Sequence, residues 1–321
     1  MKIRFSSVHY HIITLSHFHI FIVKVLLVLL GPTGVGKTDL SIDIAKHFQT
    51  SIISCDSRQI YREMRIGTAV PSAEQLSAVP HHFIQTISVE DYYNSWQFEV
   101  DALAAIRKLF ESREVVLMTG GSMLYIDAVC KGIDDIPTIA PELRTELMEI
   151  YEHEGIEPIR AMLKELDPVF YGQVDLNNGK RVLHAVEVCR MAGVPYSSLR
   201  TNTPKDRGFK IVRIGLNRER DELYQRIDQR VDLMLREGLE AEARELFPLR
   251  HLNALNTVGY REFFDYFEGL IDYDEAVRLI KRNSRRYARK QLSWFRRDDD
   301  IHWFHPDDRQ GIQALLQQLG G

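Results

Sequence analysis

The sequence predicts an α/β protein: an open parallel sheet flanked by helices, with an all-helical insertion and a helical C-terminal portion. Three observations predict it. Short apolar runs alternate with amphipathic segments, one run leads directly into a glycine-rich turn, and one long charged stretch contains no strand pattern.

Val25–Leu30 is a continuous apolar run, as expected of a strand covered on both faces of a parallel sheet. Asp39–Phe48 reads as the helix that follows. "TSIISCDS" (50–57), "EVVLMTGGS" (114–122) and "FKIVRIGLNRE" (209–219) read as further strands. Trp96–Ser112 is amphipathic, with Phe98, Ala102, Ala105, Ile106 and Leu109 near one face. After "GIDDIPTIAP" (132–141) the alternation stops. Residues 142–195 are charged, helix-patterned and punctuated by proline, so a helical insertion is placed at 137–205. It separates two core segments, 25–136 and 206–321, and the pattern from Arg218 to Gln291 is again mostly helical.

Residues 1–24 are apolar behind Lys2 and Arg4, in the manner of a signal peptide. His17, His19 and Lys24 interrupt them, and no small-residue cleavage site precedes the glycine-rich turn. They are expected to be an accessory N-terminal extension or a misassigned start. The longest uninterrupted apolar run, Val25–Leu30, is too short to span a bilayer, so no membrane role is expected.

Apolar content of 45% and charged content of 27% are ordinary for a globular protein. A net charge of −4 excludes a uniformly basic protein but leaves room for a local basic surface. Cys55, Cys130 and Cys189 form no CxxC pair, which argues against a zinc site or a disulfide framework and for a reducing cytoplasm. Cys55, beside the carboxylate of Asp56, is expected simply to pack.

Gly31-Pro32-Thr33-Gly34-Val35-Gly36-Lys37-Thr38 fits G-x-x-x-x-G-K-[ST] between a strand and a helix. The glycines let backbone N–H groups turn inward around an anion. The helix start adds positive potential, Lys37 reaches a terminal phosphate, and the Thr38 hydroxyl can hold Mg²⁺. With this loop the expected sheet is P-loop NTPase-like. An NTP hydrolase of that architecture adds a second strand ending in aspartate. The candidate strand instead runs into Thr119-Gly120-Gly121-Ser122. The available carboxylate is Asp56, expected to share a cleft with the loop at the carboxyl ends of the strands. Its other reading is a turn residue or helix N-cap.

Residues 278–297 contain nine Lys or Arg and no acid. Arg278, Lys281, Arg282, Arg285, Arg286 and Arg289 recur at helical spacing, while Val277, Ile280, Ala288 and Phe295 fall on a different face. One helix can therefore offer a basic stripe to nucleic-acid phosphates, and the missing acids argue against an ordinary solvated face.

"GPTGVGKT", "SCDSRQIYREMRIGTAVP", "PHHFI", "VVLMTGGSMLY", "RVLHAVEV", "RIDQRVDLMLREGLEAEARELF", "TVGYREFFDYFEG" and "RRYARKQLSWFRR" occur in one order. In that ordered set the chain, from about residue 26 to 305, resembles the tRNA dimethylallyltransferases, also called tRNA isopentenyl-pyrophosphate transferases. The resemblance implies that the loop, Gly31 to Thr38, holds the pyrophosphate of dimethylallyl pyrophosphate together with Arg230. The N6 of the adenine 3′-adjacent to the anticodon would attack the allylic carbon, with Asp56 as general base. Ser122 stands where the family usually has threonine, and keeps a hydroxyl near the reacting adenosine. Its plainer role is to cap the following helix.

Ser57, Arg58 and Gln59 are placed by the resemblance at the flipped base or its neighbours. Arg144, Lys180, Arg181 and His184 of the insertion are further tRNA contacts, as are Thr257, Gly259 and Arg261 in "NTVGYR". Gln291–Trp294 is a weaker assignment, Trp294 serving either to stack a base or to pack a core or hinge. The implied partners are the tRNA anticodon stem-loop and dimethylallyl pyrophosphate, with Mg²⁺ as cofactor and a monomeric state. Three alternatives differ in class: an adenylate isopentenyltransferase acting on free nucleotide, a P-loop small-molecule kinase, and an RNA-binding protein without catalysis.

Overall fold

β3 (Val25–Leu30) is buried at every residue because its alternate side chains enter two different cores. In the computed structural model, which describes residues 11–15, 18–134, 136–137, 139–201 and 203–319, this strand lies inside a six-stranded sheet. A backbone hairpin, β1 (His11–Leu15) with β2 (Phe18–Ile22), precedes it. The remainder of the N-terminal extension, residues 1–10 and 16–17, lies outside the described residues. The other strands are β4 (Ile52–Ser54), β5 (His81–His82), β6 (Val115–Gly120), β7 (Lys210–Leu216) and β8 (Ile301–Phe304). Their order is β5-β4-β6-β3-β7-β8, and every pair is parallel.

Val25, Leu27 and Leu29 pack with Leu40 and Ile44 of α1 (Lys37–His47). The short α2 (Ala73–Ala78) lies between β4 and β5. Leu26, Val28 and Leu30 pack on the opposite face with Phe98 and Ile106 of α3 (Ser95–Phe110) and Ile126 of α4 (Met123–Lys131). Each such side chain contributes roughly 1.5–3 kcal/mol when fully buried, so covering both faces explains the unbroken apolar run.

Contacts divide the chain into two compact units, Met1–Cys130 with Asp206–Gly321, and Lys131–Lys205. The smaller unit takes in Lys131 as well as the 137–205 expected for the insertion. It contains α5 (Pro141–Glu154), α6 (Ile156–Leu166), α7 (Pro168–Tyr171), α8 (Gly179–Ala192) and α9 (Tyr196–Leu199) around Leu147, Ile159, Leu163, Val182 and Val186. In the larger unit, α10 (Arg220–Glu237), α11 (Leu239–Leu246), α12 (Tyr260–Phe267) and α13 (Tyr273–Phe295) build a third core with Ile60, Tyr61 and Met64. α14 (Arg309–Gln317) completes the chain order. Among the described residues, no helix is long and apolar enough to cross a membrane.

Register decides what meets at the sheet's carboxyl end. Leu30 pairs with Gly120, and Ser54 pairs with Thr119. Strands β3, β6 and β4 therefore end level with one another. The glycine-rich loop, the Gly121-Ser122 turn and Asp56 leave the sheet side by side, where ligands of open parallel sheets bind.

Candidate functional site

Gly36 closes the loop as the N-cap of α1 at φ 105°, a left-handed conformation that glycine adopts without strain. No side chain caps this helix, so its first N–H groups are open to an anion. Lys37 Nζ donates to the carbonyls of Gly31 and Pro32, each at 2.9 Å. Burial and the charge of Arg230 push its pKa down to about 8, while Asp56 opposes the shift.

Arg230 of α10 donates Nη1 to Thr33 Oγ1 at 3.1 Å. Two arginines not expected from the sequence join it: Arg226 Nε donates to Gly34 O and Arg218 Nε to Val35 O, both at 3.0 Å. The signal was present. Arg226 and Arg230 are four apart on α10, whose buried residues are Leu223, Ile227, Val231 and Met234. Thr38 is exposed, and its hydroxyl has no hydrogen bond among the described residues. Among those residues no group of three His, Cys, Asp or Glu side chains is placed to hold a metal ion. A single hydroxyl suits Mg²⁺, which usually keeps several waters and binds through few protein ligands plus substrate phosphates.

Asp56 holds a turn, the second of its two sequence readings. Its Oδ1 accepts the N–H groups of Arg58 at 2.9 Å and Gln59 at 3.2 Å, fixing the turn. Its Oδ2 makes no hydrogen bond among the described residues. The Asp56 charge reaches Lys37 and Arg230, favouring the charged form of each. Desolvation of its hydroxyl first, and then the charge of Asp56, push Tyr287 of α13 up to about 12, although the residue as a whole is exposed. Cys55 is fully buried, its thiol raised by burial and by nearby Cys130 and Asp56, so it packs as expected.

Ser122 is buried, its N–H donates to Cys55 O at 3.2 Å, and its hydroxyl has no partner among the described residues. Ser57 is half-buried, and the Tyr61 N–H donates to Arg58 O at 3.2 Å. Gln59 is committed elsewhere: its Nε2 donates to Thr68 O at 3.1 Å and Ala69 O at 3.0 Å, using both amide hydrogens to hold a neighbouring turn.

The basic stripe needs correction. Its helix forms, with Ile280, Ala288 and Phe295 buried, but acids from outside residues 278–297 pair with its cations. Asp232 pairs with Lys281 at 2.5 Å and Asp228 with Arg285 at 2.5 Å, both from α10. Glu275 pairs with Arg278 at 2.6 Å. Arg282 Nε donates to Asn283 Oδ1. Arg286 and Arg289 are exposed and make no ion pair among the described residues.

Trp294 donates its indole N–H to Asp127 Oδ2 at 2.7 Å, and the Arg297 guanidinium lies 4.9 Å from its ring centre. It packs with the second core, which favours the packing role over base stacking. Gly259 N–H is committed to Glu262 Oε2 at 2.8 Å, and Glu262 Oε1 accepts from Asn283 of α13. Thr257 is half-buried and Arg261 exposed. In the smaller unit, Lys180, Arg181 and His184 are exposed on α8. Arg144 and His184 converge on Glu187 at 2.9 and 3.3 Å, and against the effect of burial they hold its carboxyl below the usual range.

The parallel sheet and the loop heading α1 place the chain among P-loop NTPase-like proteins. The sequence model of the IPP transferase family matches residues 59–298. The chain is 58% identical over 293 residues to tRNA dimethylallyltransferase 2 of Parabacteroides distasonis, covering 91% of this chain and 98% of that protein. The full-length tRNA isopentenylpyrophosphate transferase of Bacillus halodurans overlays with a TM-score of 0.66 at 34% identity, covering 93% of this chain and 96% of that one. A eukaryotic dimethylallyltransferase, solved acting on tRNA, shares the fold with a TM-score of 0.77 at 24% identity, covering 92% of this chain and 77% of that one. The chain belongs to the IPP transferase family.

Proposed function

We propose that this chain transfers a dimethylallyl group from dimethylallyl pyrophosphate to N6 of the adenine 3′-adjacent to the anticodon in tRNA, releasing pyrophosphate. One observation carries the reading. A loop gripped by two half-buried cations shares its end of the sheet with a carboxylate that keeps one oxygen open, and β6 runs into Gly-Gly rather than a second acid. The named relatives support the same chemistry.

In this mechanism Asp56 Oδ2 accepts the N6 proton as the C–N bond forms, a contribution of ~10²–10⁴-fold. Its Oδ1 stays with the Arg58 and Gln59 amides, which hold the carboxylate in one orientation. Lys37, Arg230 and the loop amides stabilise the charge on the pyrophosphate as the C–O bond breaks. Mg²⁺, when held through the Thr38 hydroxyl, would share that charge. The exposed cations of α13 and of α8 supply phosphate contacts to the anticodon stem-loop. The protein acts as a monomer in the cytoplasm, where its three buried free cysteines stay reduced.

The decisive experiment incubates the protein and dimethylallyl pyrophosphate with unmodified tRNA, AMP or a small-molecule acceptor plus ATP. Prenylated adenosine in tRNA alone is the expected result. Prenylated AMP would move the assignment to an adenylate isopentenyltransferase, and γ-phosphate transfer would move it to a kinase.

A further inference from the structure

The side chain of Gln291 on helix α13 reaches the glycine-rich loop. Gln291 is 2% exposed, although its neighbours Lys290 and Arg289 lie at the surface. Its Oε1 accepts the Thr33 N–H at 2.9 Å, and its Nε2 donates to Gly121 O at 2.8 Å. A Cβ on Gly121 would collide with that same nitrogen, so the turn approaches the amide as closely as a glycine permits. Thr33 is also the residue whose hydroxyl receives Arg230, and Gly121 directly precedes Ser122. The carboxamide therefore spans the two halves of the site: the anion loop on one side and the acceptor-side turn on the other. A buried amide used only to fill space would be inferior to methionine or leucine, because its desolvation is offset only by the bonds it makes.

We propose that Gln291 is a positioning residue that sets the spacing between the loop holding the diphosphate and the Gly121-Ser122 turn. It does so from the helix that carries the exposed cations, tying nucleic-acid engagement and loop geometry to one rigid element. The inference rests on the prenyl-transfer reading above.

Two variants disturb the bridge from opposite ends. Gln291→Met keeps the length of the side chain and removes both bonds; Gly121→Ala keeps the amide and displaces it. Each full-length protein is assayed for the KM of dimethylallyl pyrophosphate and, separately, for tRNA binding by filter retention. The expected result is a rise in that KM of about tenfold in either variant, with tRNA binding unchanged. The double variant should be no worse than the poorer single, as for two lesions in one contact. An unchanged KM accompanied only by a lower melting temperature would make Gln291 a packing residue and overturn the proposal, as would additive effects in the double variant. Should Gln291→Met fail to fold, Gly121→Ala carries the test alone. Lys37→Ala, run alongside, separates the two levels. If its KM for dimethylallyl pyrophosphate is unchanged, the diphosphate reading itself fails. If that KM rises while the Gln291 and Gly121 variants match the parent, only the positioning role fails.

Discussion

The glycine-rich loop and helix α13 both present positive charge, but they hold it in opposite ways. At the loop, Lys37 is pinned by two carbonyls and Arg230 by a hydroxyl, and burial disfavours the charge of each. On α13, Arg286 and Arg289 stand in solvent, while Arg278, Lys281 and Arg285 lean on acids. Half-buried, oriented cations are screened less than exposed ones and act on one small anion at short range. Exposed cations are screened within about 10 Å at 0.1 M salt, so they act through number and release counterions. The first arrangement suits a reacting group and the second a long polyanion.

That contrast can be broken in several ways. The largest effect is expected from Asp56→Asn, which keeps the turn-capping acceptor and removes the base. Turnover should drop ~10²–10⁴-fold while tRNA binding stays constant, and an equal loss of binding would make the aspartate structural. Arg230→Ala should lower kcat/KM for dimethylallyl pyrophosphate by ~10²–10³-fold, by a factor nearly independent of salt. A strong salt dependence of that factor would show the guanidinium to be solvated.

The pH profile tests Lys37. Its folded pKa is depressed to about 8, so the ammonium that grips diphosphate is present below that pH and lost above it. kcat/KM, which reports the free enzyme, should fall roughly tenfold per pH unit on the alkaline side; a flat profile to pH 10 would show that the amine is not depressed by its surroundings. The smallest effect belongs to the stripe. Arg286→Ala with Arg289→Ala should weaken tRNA binding and reduce its log–log salt slope by about 1.5. Lys281→Ala with Arg285→Ala should change it less, since Asp232 and Asp228 already neutralise those two. Equal slopes for the two pairs would erase the distinction.

Much of the core was legible because its signals are local. Val25–Leu30 and Val115–Met118 are unbroken apolar runs, and the loop between strand and helix is a contiguous motif. The edge strands were not. His81–His82 has two residues and Ile301–Phe304 four, and an edge strand needs no apolar run on both faces. The same limit explains the errors at the candidate site. A run of 20 residues without an acid says nothing of the acids another helix brings, and Asp228 and Asp232 lie about 50 residues earlier in the chain. Gln291 carried only a weak expectation as a tRNA contact, and Tyr287 carried none. Only folding shows that one reaches Thr33 and Gly121, and that the other feels Asp56.

The small helical unit begins and ends almost at one point. The N–H of Lys205 donates to the carbonyl of Lys131 at 2.7 Å, so the two ends of the unit are joined by a backbone hydrogen bond. Such a doorway makes the unit a cassette: it can be excised and the cut ends rejoined through a hairpin-sized linker of about two residues without stretching either strand of the doorway.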